Sequence, residues 1–265
     1  MGLDLNKMKA KLAALKGNGG GGTSIFWKPQ EGEQTIRILP TEDGDPFKDY
    51  HFHYMTINGK NNSVMCPKRN FGEACPVCDF ASNLWNEGQN GTPGAGDEAK
   101  KLFAKQRFFS PVIVRGQEDQ GVRIYGYSKT IYEQLLNILF DPDYGDITDI
   151  MEGNDIRLTY GRTAGRLFPE TKIRVRPMKT ALLEDTNAIQ GLTDGIPDFS
   201  TLFERKSTAE VQELLNQYII GQDTEDSPNV EKYSQGGDNS IEQSFNELLN
   251  GWQWGEVGAS APTFF

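Results

Sequence analysis

Short alternating strands, one clear core helix between them and glycine-rich connections predict a mainly β fold with a few helices, arranged as a small Greek-key barrel. Strands come first, the helix follows and strands return after it, without the regular βαβ alternation that builds a parallel sheet. The 265 residues allow one core of about 150–200 residues plus tails, or two small domains.

Residues 25–29 (IFWKP), 35–40 (TIRILP) and 50–57 (YHFHYMTI) read as strands from their period-two alternation. Residues 78–85 read as a short helix, and 86–99 (NEGQNGTPGAGDEA) as a polar glycine-rich loop. Strands resume at 107–115 (RFFSPVIVR) and 122–128 (VRIYGYS), joined as a hairpin by the loop at 116–120. Residues 130–140 (TIYEQLLNILF) carry the clearest helical pattern and form the core helix. Strands return at 155–161 and 171–177 around the turn RTAGRLFPE.

The two ends differ from this core. In residues 3–16, Leu5, Met8, Leu12 and Leu15 recur at helical spacing among Lys7, Lys9, Lys11 and Lys16, so a short basic amphipathic helix is expected, followed by a flexible tether at 17–22 (GNGGGG). A helix of that length is marginal alone and orders on a partner surface. Near the other end, Ser207-Thr208-Ala209-Glu210 is a capping box opening a helix over 209–220. From Asp223 onward eight acids face one lysine among polar residues, which predicts disorder. Within it, residues 241–254 (IEQSFNELLNGWQW) form an acidic amphipathic segment suited to folding on a partner. The net charge of −10 is therefore polarised: +3 over 1–22, −5 over 23–203 and −8 over 204–265. A mean hydropathy of −0.56 and the absence of a long apolar run or a leader pattern point to a cytoplasmic protein without a membrane span.

The densest chemistry lies between His53 and Cys78, which gather all three cysteines and one of two histidines. Twelve residues separate His53 from Cys66, eight separate Cys66 from Cys75, and two separate Cys75 from Cys78. Three thiolates and an imidazole make the closed tetrahedral set of structural zinc, with no position left for a reactive water. A redox dithiol needs a βαβ neighbourhood, and a disulfide leaves one thiol over and needs an oxidising compartment. His51, on the same strand face as His53, is the alternative fourth ligand; the spacing favours His53.

Two windows concentrate cations and aromatics. Residues 100–129 hold Lys100, Lys101, Lys105, Arg107, Arg115, Arg123 and Lys129 against Glu118 and Asp119, interleaved with Phe103, Phe108, Phe109, Tyr125 and Tyr127. Residues 157–179 hold seven cations, including Arg162 and Arg166, against Glu170, with Tyr160 and Phe168. Cations along a phosphodiester backbone gain affinity by releasing counterions, and aromatic faces stack on unpaired bases of any sequence. Alternation places Arg123, Tyr125 and Tyr127 on one strand face and Ile124 on the other, which marks the two tyrosines as surface candidates. Of the adjacent Phe108 and Phe109, at most one is expected to face inward. The bland alternative is that these aromatics fill the core.

The ligand spacing, the run CPKRNFGEACPVCDFAS and the basic and aromatic segments after it resemble the gene-thirty-two family of single-stranded DNA-binding, helix-destabilising proteins of T-even-type bacteriophages. The resemblance covers about residues 3–185. It implies an OB-fold core with an inserted zinc lobe, one structural zinc on His53, Cys66, Cys75 and Cys78, and a DNA cleft lined by Arg107, Phe108, Phe109, Tyr125, Tyr127 and Phe168. Lys105, Arg123, Lys129, Arg162 and Arg166 join them as candidate DNA contacts. The resulting division is 1–22 for cooperative self-association, 23–203 for the DNA-binding core with its zinc lobe at 51–85, and 204–265 for a helix and an acidic tail. The tail is expected to recruit replication, recombination and repair proteins in the host cytoplasm. The string Arg205-Lys206-Ser207-Thr208 resembles the family's N-terminal contact motif, but its place in this chain favours a helix cap.

On this reading the protein catalyses nothing. A zinc-dependent deaminase needs His-x-Glu and a proline directly before Cys-x-x-Cys; here Phe and Tyr follow the histidines and the proline lies inside the pair. A zinc-stabilised protein-interaction module is the other alternative, separable by binding to single strands.

Overall fold

The computed structural model describes residues 25–163, 165, 168–184 and 186–222. The expected N-terminal helix and tether, Arg166, and the acidic segment from residue 223 lie outside the described residues.

Eight strands share one mixed sheet: β1 (Phe26–Trp27), β2 (Gly32–Ile38), β3 (Lys48–Ile57), β4 (Lys60–Met65), β5 (Lys105–Val114), β6 (Arg123–Tyr127), β7 (Gly153–Gly161) and β8 (Glu170–Thr180). The path runs β1-β6-β5-β2-β7-β8, with β3 joined to β5 and β4 to β3. Only the short β1–β6 pairing is parallel. Six α-helices occur among the described residues: α1 (Pro67–Phe71), α2 (Pro76–Gln89), α3 (Ala95–Leu102), α4 (Lys129–Leu139), α5 (Thr186–Thr193) and α6 (Thr208–Gln222). None of them is long and apolar enough to cross a membrane.

The expected strands and core helix are present, with ends shifted by a few residues. The polar loop expected over 86–99 is corrected: α2 continues to Gln89 and α3 begins at Ala95. The glycines there serve a close helix crossing, since a Cβ on Gly88 would stand 2.6 Å from the Gly96 backbone nitrogen. β4 (KNNSVM) was not foreseen, because its polar first half is held by pairing with β3 and not by burial.

β5 is the hub, pairing with β2 through 112–114, with β3 through 105–109 and with β6 through 108–112. Both of its faces are covered. Phe108, Val112 and Val114 join Tyr125, Tyr127 and α4's Ile131 in one core cluster. Phe109 joins Phe26, Phe52 and Ile124 beneath Phe199, Leu202 and Phe203 in another.

An ion cluster ties the sheet together. Arg37 on β2, fully buried, donates from Nε to Asp155 Oδ1 at 3.0 Å and from Nη1 to the Thr180 carbonyl at 3.0 Å. Arg115 donates to the same carboxylate oxygen from Nε at 3.0 Å and from Nη2 at 2.9 Å. Burial lowers the Arg37 pKa and Asp155 raises it in compensation.

Candidate metal centre and nucleic-acid surface

Two Cys-Pro steps build the centre. Pro67 and Pro76 occupy first helical positions, where a missing N–H is harmless, so Cys66 and Cys75 become the N-caps of α1 and α2. Cys66 Sγ accepts the Arg69 backbone N–H at 3.3 Å. His53 reaches in from β3, buried, with Nε2 at 3.3 Å from Cys75 Sγ and 3.5 Å from Cys78 Sγ. Cys66 Sγ lies 3.9 Å from Cys75 Sγ and 3.4 Å from Cys78 Sγ.

These edges fit a single tetrahedral ion. Metal–sulfur bonds of about 2.3 Å and a metal–nitrogen bond of about 2.0 Å imply ligand separations of about 3.5–3.8 Å. The four donor atoms all lie within 4.8 Å of one another, and no other group of three or more candidate ligands occurs among the described residues. The ring of His53 is held by Nδ1, 2.7 Å from the Leu102 carbonyl oxygen at the end of α3, which leaves Nε2 for the ion. This separates the two histidines. His51 uses its backbone instead, donating N–H to Asn70 Oδ1 and accepting the Cys66 N–H, and its side chain lies outside the cluster.

The electrostatics agree. Burial lowers the His53 pKa, but hydrogen bonds and charge from Cys66 and Cys75 outweigh it and push the imidazole up to about 9. Hydrogen bonds with Cys66 and Cys78 drop the Cys75 thiol far below its ordinary range, while hydrogen bonds with Cys66 and Cys75 raise Cys78. Three clustered thiols resist ionising together unless a cation shares the space.

The lobe is closed by α6, whose Val211, Leu215 and Tyr218 pack with Met55, Val77 and Leu102. Tyr218 also donates its hydroxyl to Glu98 on α3. The helix that the sequence assigned to the tail is thus continuous with the core's packing. Its capping box is present: Ser207 N–H donates to Glu210 Oε2 at 2.7 Å and Glu210 N–H returns to Ser207 Oγ at 3.3 Å. Thr208 reaches the Ala74 carbonyl at 3.3 Å and Arg205 stacks on Phe71 at 4.2 Å, so the Arg205–Thr208 string anchors α6 to the lobe.

The candidate DNA residues divide by exposure. Tyr125 and Tyr127 are 2% and 1% exposed, which corrects their expected surface placement. Tyr125 meets Trp27 edge-on at 5.3 Å, and Tyr127 shares a 2.7 Å hydrogen bond with Ser110. They do share a face with Arg123, as alternation requires, but that face turns into the core and Arg123 escapes only because it begins β6. Phe108 and Phe109 are both buried, correcting the expectation that at most one points inward: Phe108 stacks on Tyr132 at 4.0 Å and Phe109 packs on Phe203 at 4.8 Å. Arg107 is 5% exposed beside Tyr54; burial lowers its pKa, and Tyr54 partly offsets that.

The other candidates reach solvent. Lys105 is half-buried, its pKa lowered by burial and by Arg107. Arg123 is half-buried, and Lys129 is exposed on α4, 3.7 Å from Glu133. Arg162 is exposed and Phe168 half-buried in the β7–β8 loop, where Gly165 takes a φ of +86°. The sequence reading missed Leu102, whose role is played by a backbone carbonyl with no residue signature, and Asn70, whose amide donates to the His51 carbonyl at 2.8 Å.

A family model described as gp32 DNA binding protein like matches residues 30–219. Among curated proteins no match is found.

Proposed function

The chain belongs to the gp32-like DNA-binding family, and on that premise we propose that it coats single-stranded DNA cooperatively and without sequence preference in phage replication, recombination and repair. The family match over 190 residues, 30–219, carries the reading, since it spans β2 to β8, the metal lobe and most of α6.

In this reading the sheet is an OB-type barrel, and zinc is the ion on His53, Cys66, Cys75 and Cys78, where it would hold β3, β4, α1 and α2 as one rigid lobe. The ammonium and guanidinium groups of Lys105, Arg123, Lys129, Arg162 and Arg166 would neutralise phosphates, and Phe168 would offer a ring to a base. Phe108, Phe109, Tyr125, Tyr127 and Arg107, buried as they are, would fix the floor under the strand. Residues 3–16 would link neighbouring copies, and residues 223–265 would recruit other proteins. None of these roles needs a catalytic group.

The test is a competition experiment on the full chain with a fluorescent oligothymidylate, challenged by unlabelled single-stranded or duplex DNA of equal length. Displacement by the single strand at far lower concentration than by duplex supports the reading. Absence of binding leaves a metal-stabilised protein-interaction module.

A further inference from the structure

The outer face of the β7–β8 hairpin carries a feature that the residues assigned above do not use. Arg157 and Arg174 stand directly opposite each other in register on the antiparallel pair. Like charges so placed repel and cost stability. Two residues further along β8 the register breaks: Asn154 pairs with Lys179 and Ile156 with Val175, so Asp155 alone opposes Arg176, Pro177 and Met178. This bulge is a built element. The Asn154 amide, 1% exposed, donates to the Arg176 carbonyl at 3.0 Å and approaches the Pro177 carbonyl at 3.5 Å. It lifts Met178 to 71% exposure. Arg157, Arg174, Arg176, Pro177 and Met178 then line an open groove of about 450 Å³.

The groove is short of negative charge. Arg157 has Glu33 at 3.1 Å, a pair of a half-buried guanidinium and an exposed carboxylate, which solvent screens. Arg176 lies 3.7 Å from Asp155 Oδ2, a long contact to a carboxylate whose other oxygen serves Arg37 and Arg115 at 3.0 Å and 2.9 Å. Arg174, exposed, has no ion pair among the described residues. Three guanidinium groups around an open cleft, with an apolar lip, match a phosphodiester flanked by a base.

We propose that this groove is a phosphate-backbone site for single-stranded DNA, a contact track additional to the residues of β5, β6 and the β7–β8 loop. It rests on the single-strand reading above. Bulges commonly re-aim side chains toward a ligand, and here the bulge turns β8's last arginine and its methionine to the same opening.

The test compares the salt dependence of oligothymidylate binding by the full chain and by its R174A, R174E and R174A/R176A variants. R174A removes an exposed, unbridged cation and relieves its repulsion with Arg157, so its thermal midpoint should be no lower than that of the unsubstituted chain. Each lost phosphate contact should make the slope of log affinity against log salt less steep by about 0.7, hence by about 1.4 for the double variant. R174E should bind more weakly than R174A. Equal affinity and slope in all four proteins would overturn the groove while leaving the single-strand reading intact. If the unsubstituted chain binds no oligothymidylate, the single-strand reading fails and the groove with it.

Discussion

The Leu102 carbonyl oxygen lies 2.7 Å from His53 Nδ1, so the last residue of α3 sets the ring that completes the metal centre on β3. The centre therefore depends on how α3 is docked as well as on its four ligands. His53→Ala is expected to lose the metal and His51→Ala to keep it, measured as bound metal per chain. Loss of metal should also expose α6 and the lobe to protease, because their shared core is small.

Gly88→Ala probes the docking directly. In an ordinary helix this change stabilises by about 1 kcal/mol. Here the added Cβ would meet Gly96 backbone atoms at 2.6 Å and 2.8 Å, so a loss of about 1–3 kcal/mol is expected, read from denaturant midpoints. Metal affinity should fall as well, on the order of tenfold, as the Leu102 carbonyl moves away.

Asp155→Asn tests the ion cluster. It strands the fully buried Arg37 and should cost about 3–5 kcal/mol, whereas Glu33→Gln at the exposed Arg157 pair should cost about 0–1 kcal/mol. Comparable losses from both would show that Arg37 does not depend on that carboxylate.

Tyr125 and Tyr127 give the fold a pH signature. Burial raises both phenols well above the ordinary tyrosine value. A folded-state pKa above the unfolded one means that the stability from the neutral phenols is fully present below pH about 10 and is lost as pH rises beyond it. Absorbance titration should show these two tyrosines ionising only as the protein unfolds; ionisation near pH 10 in the folded state would place them at the surface.

Tyr127→Phe isolates the 2.7 Å bond to Ser110. It should cost about 1 kcal/mol in denaturant midpoint, because a buried hydroxyl is left without its partner.

The cluster of His53, Cys66, Cys75 and Cys78 was legible in the sequence because few chemistries suit one imidazole and three thiols at that spacing. The strand pairs β5–β6 and β7–β8 and the helix α4 were legible because their apolar periodicity is strong. Period-two alternation, however, reports that two faces differ and not which is wet. β5 and β6 are covered on both sides, by the main core and by Phe199, Leu202 and Phe203, so tyrosines sharing a face with an arginine still lie inside. The closing segment comes from about 90 residues away along the chain, a separation no local pattern carries. α3 escaped notice because its glycine-rich approach, useful for close packing against α2, reads locally as a loop.

The most direct test of the account is a stoichiometric titration of fluorescent oligothymidylate with the metal-loaded chain and with the same chain after chelation, at two salt concentrations. Tight, salt-sensitive, saturable binding is expected of the loaded protein, and weaker binding once the lobe loses its ion. Binding that ignores salt, or no binding by the loaded protein, would contradict it.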